Sequence, residues 1–154
     1  MRWSKEGGMG KINCGRVIGG GLLAGLVINI SEFLVNGLWL AKEWEAAMKA
    51  LGKPMVNELF PIVVYNIWGF AMGIVAVWLY AAIRPRFGPG SKTAFNAAVA
   101  VWIPGYVLAL IPPALGELFP LRLILIGVAV GLVEILIGTN LGAYIYKEEE
   151  SPGT

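Results

Sequence analysis

Four long stretches of this chain carry almost no charge, and that feature constrains its fold more than any other. They cover residues 17–41, 59–83, 93–116 and 123–146. Each is long enough to cross a hydrocarbon core of about 30 Å at 1.5 Å per helical residue. In lipid, every backbone amide and carbonyl must be paired within the chain, so stretches of this length are expected to be helices. The expected fold is all-α: a polytopic membrane protein whose four transmembrane helices form a bundle. With 154 residues, these spans and their connections consume nearly the whole chain, which reads as a single membrane domain covering 1–154. The first span has a basic lead (Arg2, Lys5, Lys11, Arg16), as a secretion signal does. Its apolar run is too long for such a signal and no small-residue cleavage site follows, so it is expected to stay as an anchor.

Composition agrees. Hydrophobic residues make up 57% of the chain and charged residues 14%, against about 25% charged in an ordinary soluble domain. All ten acidic residues are glutamate, and histidine is absent. The absence of imidazole removes the commonest general base and metal ligand. Cys14 is the only cysteine, so no internal disulfide or thiolate cluster can form, and the thiol is expected to be buried or inert. Neither a metal nor a cofactor is expected, and no catalytic residue is assigned; Ser31, beside Glu32, lacks a histidine partner.

Lysine and arginine set the expected orientation. Eight of the twelve lie in the N-terminal segment, the Arg84–Lys92 connection and Lys147, and four (Lys42, Lys49, Lys53, Arg122) lie on the opposite side. This bias places both termini in the cytoplasm. Trp39, Trp78, Tyr80, Tyr144 and Tyr146 fall near span ends, where an interfacial aromatic belt is expected.

The connections differ in kind. From Lys42 to Leu51, Trp44, Ala47, Met48 and Leu51 share one helical face, with Gly52 and Pro54 as a stop. That pattern predicts a short amphipathic helix on the membrane surface. The stretch from Arg84 to Lys92 is rich in proline and glycine and predicts a tight turn. Its cations Arg84, Arg86 and Lys92 are placed to meet lipid headgroups or the Glu148–Glu150 run. Pro104 predicts a kink in the third span, and the third connection lies between Pro112-Pro113 and Pro120.

Inside the spans, small and polar residues fall on single faces. Gly21, Gly25, Asn29, Glu32 and Asn36 recur at spacings of four, four, three and four, and Gly127, Gly131, Glu134 and Gly138 do likewise. The second span has Asn66, Gly69, Gly73 and Ala76, and the third a weaker row of Asn96, Ala100 and Pro104. These rows are expected to face inward. Lipid gives helices no hydrophobic drive to associate, so close backbone approach at Gly21/Gly25, Gly69/Gly73, Gly127/Gly131 and Gly138/Gly142 must supply the packing. Glu32 and Glu134 both fall near mid-depth, where a carboxylate costs about 2.5–3.5 kcal/mol on insertion scales. The expectation is that they face each other, at least one as a neutral acid, within a network that includes Asn29, Asn36, Asn66 or Asn140.

Two functional readings follow. The first is a non-enzymatic accessory or scaffolding component, or a self-associating bundle, held by that network. The second is a proton- or cation-coupled small-molecule transporter that uses Glu32 and Glu134. Expected partners are membrane lipids and either further copies of the chain or a larger membrane complex; nothing points to nucleic acid.

The stretches Gly20-Gly21-Leu22-Leu23-Ala24-Gly25 through Glu32, Trp78 through Gly90, and Gly131-Leu132-Val133-Glu134 resemble small bacterial four-span membrane proteins with no assigned activity. This resemblance implies a bacterial inner membrane and lends no mechanism. A looser similarity links the chain to small multidrug resistance transporters, which are four-span chains with a functional glutamate in the first span, a place that Glu32 would take. This chain departs from them in its greater length and in its second membrane carboxylate, Glu134.

Overall fold

The computed structural model describes residues 12–53 and 59–147, and among them every regular element is helical. The first span is α1 (Cys14–Glu32), which continues through a π-helical turn at Phe33–Trp39. Next come the short helix α2 (Ala41–Ala50) and the second span α3 (Leu59–Phe87). The third span combines α4 (Ser91–Trp102), a second π-helical turn at Ile103–Leu108, and α5 (Ala109–Leu115), and α6 (Leu121–Ile145) is the fourth. Four helical segments among the described residues are long and apolar enough to cross a membrane: Cys14–Trp39, Leu59–Phe87, Ser91–Leu115 and Leu121–Ile145. The chain is a helical membrane protein. We call the side holding Cys14 and Ile145 the terminal side and the other the far side.

α1 packs against α3 and α6, and α4 packs against the same two helices from the other flank. Glycine makes the first of these contacts possible. A methyl group on Gly73 would run into the backbone of Gly21 and Gly25, and one on Gly25 would lie 2.6 Å from the Phe70 Cα. Against α6, a methyl on Gly20 would lie 2.7 Å from the Gly142 carbonyl oxygen, and one on Gly138 would lie 2.9 Å from that of Ala24. Gly127 is different, since only Leu110 comes within 4.0 Å of its added carbon. It belongs to no tight seam, and Gly105, which packs on Met72, takes a place that the GxxxG pattern did not mark.

The third span corrects the inward row expected of it. Thr93, Ala94, Ala97, Ala98 and Val101 are buried, while Ala100 and Pro104 are exposed. Small alanines line the true interface, which lies about a quarter turn from the Asn96 row. Pro104 acts locally as expected, through a wide turn in place of a simple kink. It has no N–H to give the carbonyl four residues back, and its ring crowds that carbonyl.

At the far side α2 lies where amphipathic spacing put it. Ala47 is buried with Leu40 and Leu123, and Trp44 meets Phe119 edge-on at 5.3 Å. Gly52 ends the helix at φ +69, and the Lys53 N–H returns to the Met48 carbonyl; this is the left-handed stop that glycine permits. Pro54 lies outside the described residues.

On the terminal side α3 runs through Pro85 to Phe87, leaving only residues 88–90 as the turn. Tyr80 and Tyr146, expected in the interfacial belt, are instead buried and pack edge-on at 6.0 Å. Trp39, Trp78 and Tyr144 are exposed, as belt residues should be. The Asn13 side chain caps α1, and its N–H donates to the Tyr146 hydroxyl. Cys14, expected to be buried or inert, is exposed, so burial is not what holds it.

Candidate functional site

The polar centre of the bundle is built around Glu134. It lies at the middle of α6 and is only 1% exposed. It stays inside because Gly131, one turn earlier, leaves room for the ring of Tyr106 to lie across the helix. The Tyr106 hydroxyl then donates to Glu134 Oε1 at 2.7 Å. The other carboxylate oxygen, Oε2, is buried and accepts no well-formed hydrogen bond from the described residues. Tyr106 is itself buried, held inside the Pro104 π-helical turn and met edge-on by Trp68 at 6.1 Å.

Glu32 and Ser31 reach the same layer from α1, Glu32 as a like-charge neighbour of Glu134 and Ser31 as a hydroxyl turned toward it; Glu32 also acts on Tyr106. The two membrane glutamates therefore do share one site. Glu32 is half-buried and Glu134 is sealed. Glu32 Oε2 accepts from the Asn36 amide at 2.5 Å, and Asn36 Oδ1 accepts from the Trp44 indole at 2.8 Å. This chain of contacts leads from the surface helix α2 down to the carboxylate pair. Over the same far end, Arg122 forms an exposed ion pair with Glu43.

The other amides stand apart from the acids, which corrects the expectation of a single network. Asn29 donates to the Asn66 carbonyl at 3.2 Å and so ties α1 to α3. Asn66 and Asn140 turn their own amides back to the carbonyls of Ile62 and Leu136, four residues earlier on the same helix. The physical reason is local: in a helix the carbonyl four residues back is always within reach of an asparagine side chain, whereas a cross-helix partner must be positioned by packing. Asn140 lines a separate cavity of about 280 Å³ on the terminal side, together with Tyr80, Arg84, Ser91 and Tyr146.

Of the three expected headgroup cations, Arg86 and Lys92 are exposed. Arg84 is half-buried, its guanidinium carbon 5.7 Å from the centre of the Tyr146 ring. The Glu148–Glu150 run lies outside the described residues, as do Arg2, Lys5 and Lys11.

Sequence reasoning missed Tyr106, Trp44 and Ser31 as members of the site. Tyr106 carried a usable signal, being a tyrosine deep in an apolar span two residues after a proline. Trp44 had been assigned wholly to the apolar face of α2, and nothing marked its indole N–H as a donor to Asn36.

Among the described residues no group of three or more acidic or cysteine side chains is placed to hold a metal ion. What the arrangement offers is two carboxylates and two hydroxyls, all oxygen, in a layer closed to water at Glu134. No family model, curated protein or solved structure matches the chain.

Proposed function

We propose that the bundle binds and releases a proton at the Glu32–Glu134 pair and works as a small proton- or cation-coupled carrier. The observation that carries this reading is Glu134 Oε2, a buried oxygen that accepts no well-formed hydrogen bond from the described residues, on a carboxylate whose other neighbours are Glu32 and Ser31. Leaving such an acceptor unmet in an apolar interior costs about 1–3 kcal/mol, and two like charges there cost more. A proton between the two acids removes both penalties. Half-buried Glu32, linked through Asn36 and Trp44 to the far surface, is the side from which that proton comes and goes. The distribution of lysine and arginine supports both termini in the cytoplasm, so that the far surface is the external one, and the resemblance to small bacterial four-span proteins supports a bacterial inner membrane.

The test uses the purified chain in lipid vesicles. Infrared difference spectra between acidic and alkaline buffer should show the carbonyl band of a neutral carboxylic acid, and Glu134→Gln should remove it while helix content is kept. Vesicles loaded with a pH-sensitive dye should show proton movement that Glu32→Gln abolishes. A wild-type protein with no pH-dependent carboxyl band overturns the proposal.

The second reading, an accessory or scaffolding bundle, draws on the glycine seams that join α1 to α3 and α6. Its signature is unchanged assembly and unchanged association in both Gln variants, with no proton movement in any of them.

A further inference from the structure

The face of α3 that points into the bundle is not covered along its whole length. At Gly69, Gly73, Ala76 and Tyr80 it is buried. Continuing the same face toward the far side, Asn66, Ile62 and Leu59 are exposed, the last two by 54% and 75%. Tyr65, beside Asn66, is 71% exposed. Beyond Gly69, although Asn29 still reaches the Asn66 backbone, α3 presents an inward-type face, including an amide, that the described residues leave uncovered.

That amide lies deep in the membrane. The Asn66 carbonyl accepts from Asn29, and Asn29 sits just past the midpoint of the 26-residue Cys14–Trp39 segment. The Asn66 amide nitrogen reaches Ile62 O at 2.8 Å, which uses one of its two hydrogens. One N–H and the side-chain oxygen have no partner among the described residues. Acyl chains supply neither donor nor acceptor at this depth.

We propose that this face docks a second copy of the chain, with the two Asn66 amides bonded to each other across a two-fold axis normal to the membrane. An amide is complementary to itself: one copy's N–H meets the other's carbonyl oxygen, and the symmetry returns the bond. A second copy matches the unmet groups one for one. Both copies keep the same orientation in the membrane, as insertion of a single sequence requires. Leu59 and Ile62 then pack against their counterparts. This inference is independent of the proton-binding reading, since it uses none of the residues in the acid layer.

The experiment measures association of the full chain in lipid bilayers by energy transfer between labelled copies over a dilution series. Asn66→Leu should weaken the dimer about tenfold, given two interhelical bonds of about 0.6 kcal/mol each, while Asn66→Gln keeps it. In a Cys14→Ser background, Ile62→Cys should form an intermolecular disulfide and Val64→Cys, on the other side of the helix, should not. Helix content and the thermal transition of each variant confirm that it is folded. A wild-type chain that stays monomeric at every dilution overturns the proposal. A dimer indifferent to Asn66→Leu, or one cross-linked equally at position 64, overturns it too.

Discussion

Replacing Tyr106 by phenylalanine removes one oxygen atom from the centre of the bundle, and its cost can be worked out from the contacts. The ring stays, so its packing over Gly131 and against Trp68 is preserved and no cavity opens. What goes is the one well-formed hydrogen bond that Glu134 accepts among the described residues, leaving only Ser31 and Glu32 as polar neighbours of a 1%-exposed carboxyl group. Interhelical hydrogen bonds in membranes average about 0.6 kcal/mol because the unfolded chain also finds partners in lipid. A buried acceptor stripped of its donor costs more, about 1–3 kcal/mol. With no water at hand to substitute, the second figure governs, and Tyr106→Phe should destabilise the fold by about 2 kcal/mol, roughly 30-fold in the unfolding equilibrium. Reversible unfolding in mixed micelles measures it directly. The decisive version is a double-mutant cycle with Glu134→Gln, in which the coupling should exceed about 1 kcal/mol. A single-mutant effect below about 0.5 kcal/mol, or additivity in the cycle, would refute the assignment of this hydrogen bond as the anchor of the acid layer.

Two glycines in similar sequence contexts should respond in opposite ways. Gly73→Ala forces a methyl into the backbone of Gly21 and Gly25, neither of which can yield, and should cost about 1–3 kcal/mol. Gly127→Ala meets only Leu110 at 4.0 Å and should be neutral or stabilising by up to about 1 kcal/mol, through the better helix propensity of alanine; both are read from the same unfolding assay. Cys14 is exposed at the terminal end of α1, so a membrane-impermeant maleimide should label it only after the cytoplasmic face is opened. Labelling of intact cells would reverse the orientation. Arg122→Ala breaks an ion pair whose side chains are 60% and 40% exposed, and should change stability by less than about 1 kcal/mol, a change that shrinks further as salt concentration rises.

The fold was legible because lipid enforces it: apolar stretches of twenty and more residues with at most one charge form helices, and their ends fell within a few residues of those observed. Gly21, Gly25, Gly73 and Gly138 were legible for a related reason, since close approach needs an atom to be missing, and a glycine announces that. The third span was not. Its interface uses alanines, which are common on every face of an apolar helix, so the eye goes to Asn96 and Pro104. The asparagines misled for a different reason. Their chemistry predicts hydrogen bonds, but a helix always offers the carbonyl four residues back, and sequence alone cannot say whether Asn66 or Asn140 will take it. Tyr80 and Tyr146 were placed in the belt by their distance from the span ends, yet pairing with each other buried them.

The irregular parts of the backbone bear on which functional reading to prefer. A π-helical turn holds an extra residue and gives poorer hydrogen-bond geometry than an α-helical one, and such turns gather at functional sites. This bundle has two among its described residues. One begins immediately after Glu32, where the Leu40 N–H bonds Val35 O at 2.8 Å, and the other contains Tyr106. They lie on different helices and reach the same layer, the one that also holds the buried carboxylate oxygen lacking a hydrogen bond. Toward the terminal side, where α1, α3 and α6 meet through glycine, all three helices run as regular α-helix. A bundle whose only task is to hold its helices together gains nothing by placing its wide turns and its unmet acceptor in one layer, because each of these weakens the packing there. A site that must take up and release a proton does gain. It needs an acceptor left open and gains from irregular backbone around it, and the layer of Glu32, Tyr106 and Glu134 combines the unmet Glu134 oxygen with the two π-helical turns.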